Sequence, residues 1–127
     1  MSIKRILIIS TTLIYSLFLF YVLWLPKDSL PVHRLLAPDK IYHMGAYFIL
    51  SLLIYFSYWI YDNSLSHILK NMIIISIFHA GISEFFQKFS PGRAAGLDDM
   101  IANCLGVLLA YWVINWYHSR KSSREIK

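Results

Sequence analysis

Charge is scarce in this chain. Of its 127 residues, 15% are Asp, Glu, Lys or Arg, against about a quarter in an ordinary soluble domain. There is a single cysteine, Cys104, inside an apolar run. One thiol excludes an internal disulfide and a cysteine-built metal cluster, which leaves a small buried hydrophobe. No compact ligand motif of the His-Glu-x-x-His kind occurs, so neither a metal nor another cofactor is expected. Low-complexity segments are absent, and so is any polar stretch long enough for a soluble domain. Prolines number four, and three of them, at 26, 31 and 38, fall in one short segment. Most of the chain is therefore free of helix breakers.

What remains is apolar and aromatic: 57% hydrophobic and 17% aromatic. The apolar residues come in long runs. A helix needs about 20 of them to cross a hydrocarbon core. The runs predict an all-α integral membrane bundle of four transmembrane helices over about 5–25, 41–61, 66–89 and 99–117, forming a single domain over 1–127. Lys4 and Arg5 ahead of the first run resemble a signal peptide. The run is too long for one, however, and ends in Trp-Leu-Pro-Lys rather than at a small-residue cleavage site, so a retained helix is expected. The third helix has the shortest uncharged core and needs Lys70 and Glu84 near its two ends. Ser90-Pro91-Gly92 closes it. Trp24, Tyr42, Tyr58, Trp59, Tyr61, Tyr111, Trp112, Trp116 and Tyr117 sit near run ends, as interfacial aromatics do.

The net charge of +5 comes from the two ends. Lys4 and Arg5 supply +2, and Arg120, Lys121, Arg124 and Lys127 against Glu125 supply +3. A nucleic-acid footprint needs a basic face, and two basic tails do not make one, so no nucleic-acid partner is expected. Such flanks are topology signals. With four spans both ends share one side, and positive-inside places that side in the cytoplasm (N-in/C-in), with 118–127 a basic cytoplasmic tail, frayed or interfacial. The loops at 26–39 and 90–98 then face outward.

Polar residues within membrane helices are costly and need partners or functions. Asp39, His43 and Tyr47 share one face of helix two at i, i+4, i+8. Glu84 and Gln87 lie at the same level of helix three. Asp99, Asn103 and Gly106 stand at i, i+4, i+7 on helix four, and Arg93 lies in the link before it. These groups are expected to converge inside the bundle. Asp39-x3-His43 and Asp99-x3-Asn103 also form a faint internal echo. Each residue has a plainer reading. Asp39 and Asp98 are helix caps or loop charges. Glu84 pairs locally with Lys88, and Asp99 ties down Arg93. His79 is a packed polar group, and His33, His67 and His118 are interface or loop residues. Gly45, Gly81 and Gly106 serve close helix packing. On the functional side, Glu84, His43 and Asp99 are the catalytic candidates, as acids or bases, and Arg93 is the anion reader.

The segment Pro38-Asp39-Lys40-Ile41-Tyr42-His43 with Tyr47, the run Glu84-Phe85-Phe86-Gln87-Lys88-Phe89-Ser90-Pro91-Gly92-Arg93, and Asp99-Met100-Ile101-Ala102-Asn103-Cys104-Leu105-Gly106 together resemble the VanZ-like family. The resemblance implies a multi-pass protein of the bacterial inner membrane with its motifs on the extracytoplasmic side, acting in cell-envelope biology and linked through one member to glycopeptide antibiotic resistance. It carries over Asp39, Lys40, His43, Glu84, Gln87, Arg93, Asp99 and Asn103 as a ligand-binding set. Gly96 departs from the pattern: some relatives have an acidic residue there, and Asp98 supplies an extra carboxylate nearby.

Three functions follow as expectations. The first is binding of an anionic lipid or lipid-linked envelope precursor, with Arg93 and Lys40 on the headgroup. The second is an enzyme acting on a lipid phosphate, for which the sequence offers no unmistakable nucleophile. The third is a non-catalytic accessory subunit beside a membrane-protein partner or in a homo-oligomer.

Overall fold

A computed structural model describes residues 2–25, 39–62, 64–91 and 96–125, with α1 spanning Ile3–Trp24, α2 Asp39–Trp59, α3 Leu65–Gln87 and α4 Leu97–Glu125. All four are long and apolar enough to cross a membrane. α1 stops at Trp24, and Leu25 turns extended (φ −61°, ψ 143°), the geometry that the following Pro26 imposes on its predecessor. The turn after α2 is held by Ser64 N–H donating to Asp62 Oδ1 at 2.8 Å, a short polar side chain standing in for a backbone turn. α3 ends in two tight turns, Phe89 N–H to Phe86 O and Ser90 N–H to Gln87 O, just before Pro91.

α4 departs from expectation. Its apolar run ends near 117, yet the helix continues to Glu125. Residues 118–125 contain no glycine or proline to stop a helix. The Arg120 guanidinium lies over the Trp116 ring at 5.3 Å, and Arg124 sits in the last turn, where the helix dipole favours a cation.

The four helices alternate in direction. Arg5 Nη2 donates to Ile60 O at the end that carries both termini, and Tyr55 contacts His118 at that same end. The opposite end holds the starts of α2 and α4, which run parallel and side by side. One face of α2 supplies the bundle's polar rungs. His43, Tyr47, Ser51 and Tyr55, each four residues on, reach Asn103, His79, Ser76 and His118 respectively. Each such interhelical bond is worth on the order of 0.6 kcal/mol in a membrane protein, and together they set helix register. Between the rungs lies the apolar core: Leu50, Ile54, Ile68, Met72, Val107, Ala110 and Ile114, with Leu19 and Leu23 from α1. The outer faces carry large exposed apolar side chains such as Leu17, Phe18, Phe78, Leu108 and Trp112, as lipid contact requires.

Of the three glycines read as packing positions, only Gly106 serves that purpose. A side chain there would collide with the Met44 carbonyl and meet Phe48 N at 3.0 Å, so α2 and α4 approach backbone to backbone. At Gly45 and Gly81 nothing lies within 4 Å of the place a methyl group would occupy, and their close-packing reading does not hold.

Candidate functional site

α2, α3 and α4 each present polar residues at the end of the bundle away from the termini. α4 opens there with Asp98 and Asp99 in its first turn, where carboxylates complement the positive end of the helix dipole. α2 opens there with Asp39 and Lys40. A cation in a first turn opposes the dipole of its own helix, and Lys40 is compensated from the neighbouring one: its ammonium pairs with both Asp98 and Asp99. Nothing in the spacing of the sequence shows that α2 and α4 start side by side, so this pairing is not among its expectations; the expected Asp99–Arg93 tie involves a residue outside the described ones. Gly96 fits the same arrangement, since a side chain there would start where the Asp98 carboxylate stands.

One turn deeper, His43 Nδ1 lies 3.0 Å from Asn103 Oδ1, and Asn103 Nδ2 donates to Glu84 Oε1 at 3.3 Å. The Asn103 amide turns its N–H toward Glu84 and its oxygen toward the histidine, so His43 donates from Nδ1. All three side chains are buried: His43 is 2% exposed, Asn103 0% and Glu84 8%. The local pair with Lys88 is not the contact that structures Glu84, since Lys88 is exposed and Asn103 bonds the carboxylate from the next helix.

Gln87 completes the α3 stripe. It is 1% exposed, and its Nε2 has no hydrogen-bond partner among the described residues; the same holds for buried Ser90 Oγ. Beneath them, His79 Nε2 donates to Ser16 O at 3.2 Å, so its Nδ1 accepts from Tyr47 OH at 3.0 Å. This second layer ties α1 and α3 to α2. No spacing in the sequence points to the Tyr47–His79 partnership. His118 packs at the other end against Trp59, ring centroids 4.9 Å apart. His67 is an exposed neighbour of Asp62.

The structure thus brings together Lys40, His43, Glu84, Asp99 and Asn103, with Gln87 one turn along α3 from Glu84. Asp39 is the first residue of α2. Arg93 and His33 lie outside the described residues. No group of three His, Cys, Asp or Glu side chains suited to a metal occurs among the described residues.

The Lys40 contacts predict a modest stability effect. Lys40→Met leaves two carboxylates adjacent on α4 and removes a link to α2, partly solvent-screened because the lysine is 42% exposed. We expect a loss of roughly 1 kcal/mol from the Lys40–Asp99 pair, with Asp99→Asn recovering part of it. Thermal unfolding of the single and double variants in detergent checks this; a double variant less stable than either single would contradict it.

Comparison with known proteins places the chain in a family. The family model VanZ/LLP1 matches residues 12–118, which takes in most of all four helices and every residue of the cluster. An uncharacterised protein of the fission yeast Schizosaccharomyces pombe, C11E3.10, is 32% identical over 102 residues, covering 80% of this chain and 58% of that protein; the chain therefore spans little more than half of that relative. No solved structure matches. With the family model covering most of its length and four helices able to cross a bilayer, this multi-pass membrane chain belongs to the VanZ/LLP1 family.

Proposed function

We propose that the protein binds the polar headgroup of an anionic lipid, or of a lipid-linked envelope precursor, at the end of the bundle where α2, α3 and α4 converge. The observation that carries this reading is Gln87, a buried amide whose Nε2 has no partner among the described residues. An unmet buried donor costs about 1–3 kcal/mol, and a phosphate oxygen meets it. Ser90 Oγ, one turn on and in the same state, offers a second bond. Arg93, in the link that follows, supplies the charge and a planar fork suited to phosphate.

Lys40 takes a different part from the one expected of it. Its ammonium is committed to Asp98 and Asp99, so it positions the start of α4 rather than the ligand. The headgroup we propose is a phosphodiester held by Gln87, Ser90 and Arg93, with hydroxyls that hydrogen-bond the polar rim, as phosphatidylglycerol has. A fungal relative favours a ligand found in membranes generally over one confined to a single wall chemistry. A bacterial inner membrane, with the basic ends inside and the site outside, is the setting we propose from charge placement.

Native mass spectrometry of the purified protein with phosphatidylglycerol and phosphatidylcholine tests the reading. The wild type should retain phosphatidylglycerol preferentially, and Arg93→Ala should cost one bound phosphatidylglycerol, with Arg93→Lys intermediate. Retention unchanged by Arg93→Ala would end the proposal. Turnover of the bound lipid, lost in Glu84→Gln, would instead make the protein an enzyme.

A further inference from the structure

A second set of unspent polar groups lies at the opposite end of the bundle. A groove of about 650 Å³ lies there between α3 and α4, within the size range of ligand sites. Its walls are Ser66, Leu69, Lys70 and Ile73 of α3 with Tyr111 and Asn115 of α4. Lys70 is the sixth residue of α3 and stands inside a segment long enough to span the membrane. Asn115 and Tyr111 are likewise exposed within the span of α4. Polar groups facing lipid are expensive unless they find partners. Among the described residues, none of these three side chains makes a hydrogen bond or ion pair, and no acidic residue lines the groove.

The chemistry of the lining is one-sided: a lysine ammonium, an amide and a phenol, all able to donate, arranged along a wall of leucine and isoleucine. We infer that this groove holds one anionic phospholipid, its phosphate on Lys70 near the end of the bundle and an acyl chain running inward along Leu69 and Ile73 past Tyr111. Charge complementarity selects this occupant. The helical extension of α4 brings Arg120 and Arg124 to the same end, which adds attraction for an anionic headgroup. A second copy of the chain seated here would bury Lys70 against another apolar face with nothing in the lining to neutralise it.

The site is independent of the one proposed above, and its test is positional. The full chain is reconstituted in phosphatidylcholine liposomes with phosphatidylglycerol carrying a photoactivatable acyl chain, and cross-links are mapped by peptide mass spectrometry. The expected result is labelling concentrated on 69–74 and 111–115, competed by unmodified phosphatidylglycerol at least fivefold better than by added phosphatidylcholine. Lys70→Gln should reduce that labelling at least fivefold and Lys70→Arg should restore it. Retention that depends on Arg93 should survive Lys70→Gln, which separates failure at one end from failure at the other. Labelling spread evenly over the outward faces, equal competition by both lipids, insensitivity to Lys70→Gln, or cross-linking of the groove to a second copy would each overturn the inference.

Discussion

Gly106→Leu should destabilise the bundle strongly by forcing α2 and α4 apart. The obstacle is backbone: a side chain at 106 meets the Met44 carbonyl and Phe48 N of α2, atoms that cannot swing aside as a side-chain tip would. The helices must separate. One turn away, the His43–Asn103 bond is 3.0 Å long and buried, so it cannot follow that separation without breaking. Overpacking costs about 1–3 kcal/mol, and the lost bonds add to it. We expect a loss of about 2 kcal/mol for Gly106→Ala and more for leucine, read as unfolding in mixed micelles. Gly81→Ala provides the contrast. It has open space around it, and removing a helical glycine favours the folded chain by roughly 0.5–1 kcal/mol. Equal effects at 81 and 106 would contradict the close approach of α2 and α4.

The second large effect is expected at Asn103. Its amide is the only group in the described cluster that touches both His43 and Glu84, and it is wholly buried. Asn103→Leu strands the His43 donor and removes one bond from the Glu84 carboxylate together. A buried donor left unmet costs about 1–3 kcal/mol and the lost carboxylate bond adds to it, so a total loss of about 3 kcal/mol is the expected outcome, together with loss of headgroup binding. A double-mutant cycle gives a stricter check. In the Asn103→Leu background, His43→Ala should cost less than it does in the wild type, by about 1 kcal/mol. Additive losses would mean that His43 is held by something else.

The fold was largely legible because hydrophobic length is a strong signal. Four runs long enough to span the bilayer, broken by Pro26 to Pro38, by Asp62 to Ser64 and by Ser90 to Gly92, correspond to four helices within a few residues at most boundaries. The convergence of His43, Glu84, Asp99 and Asn103 was legible for a related reason: polar groups at one level of apolar helices have nowhere else to go. Pairings were not legible. Periodicity says which face of a helix is polar and is silent on which helix that face meets. Lys40 could reach Asp99 only because α2 and α4 pack in parallel, and that neighbourhood is set by Gly106, one glycine among three with the same sequence appearance. The faint echo between Asp39-x3-His43 and Asp99-x3-Asn103 did contain the answer in part, since these two helix starts lie side by side and His43 meets Asn103. The length of α4 was not legible because charge ends a membrane span without ending a helix.

Whether the cluster is a binding site or only hardware for helix register is decided most directly at Gln87. A register residue stabilises the free protein, whereas a buried amide donor without a partner weighs against it. The decisive measurement is the melting temperature of wild type and Gln87→Leu, each in neutral micelles with and without phosphatidylglycerol. A ligand that binds the folded state raises that temperature in proportion to its occupancy. The lipid-free variant should melt at or above the wild type, and, measured in a Lys70→Gln background so that the α3–α4 groove does not contribute, the rise produced by phosphatidylglycerol should be largely lost. A variant that melts well below the wild type while keeping its full response to the lipid would contradict the account.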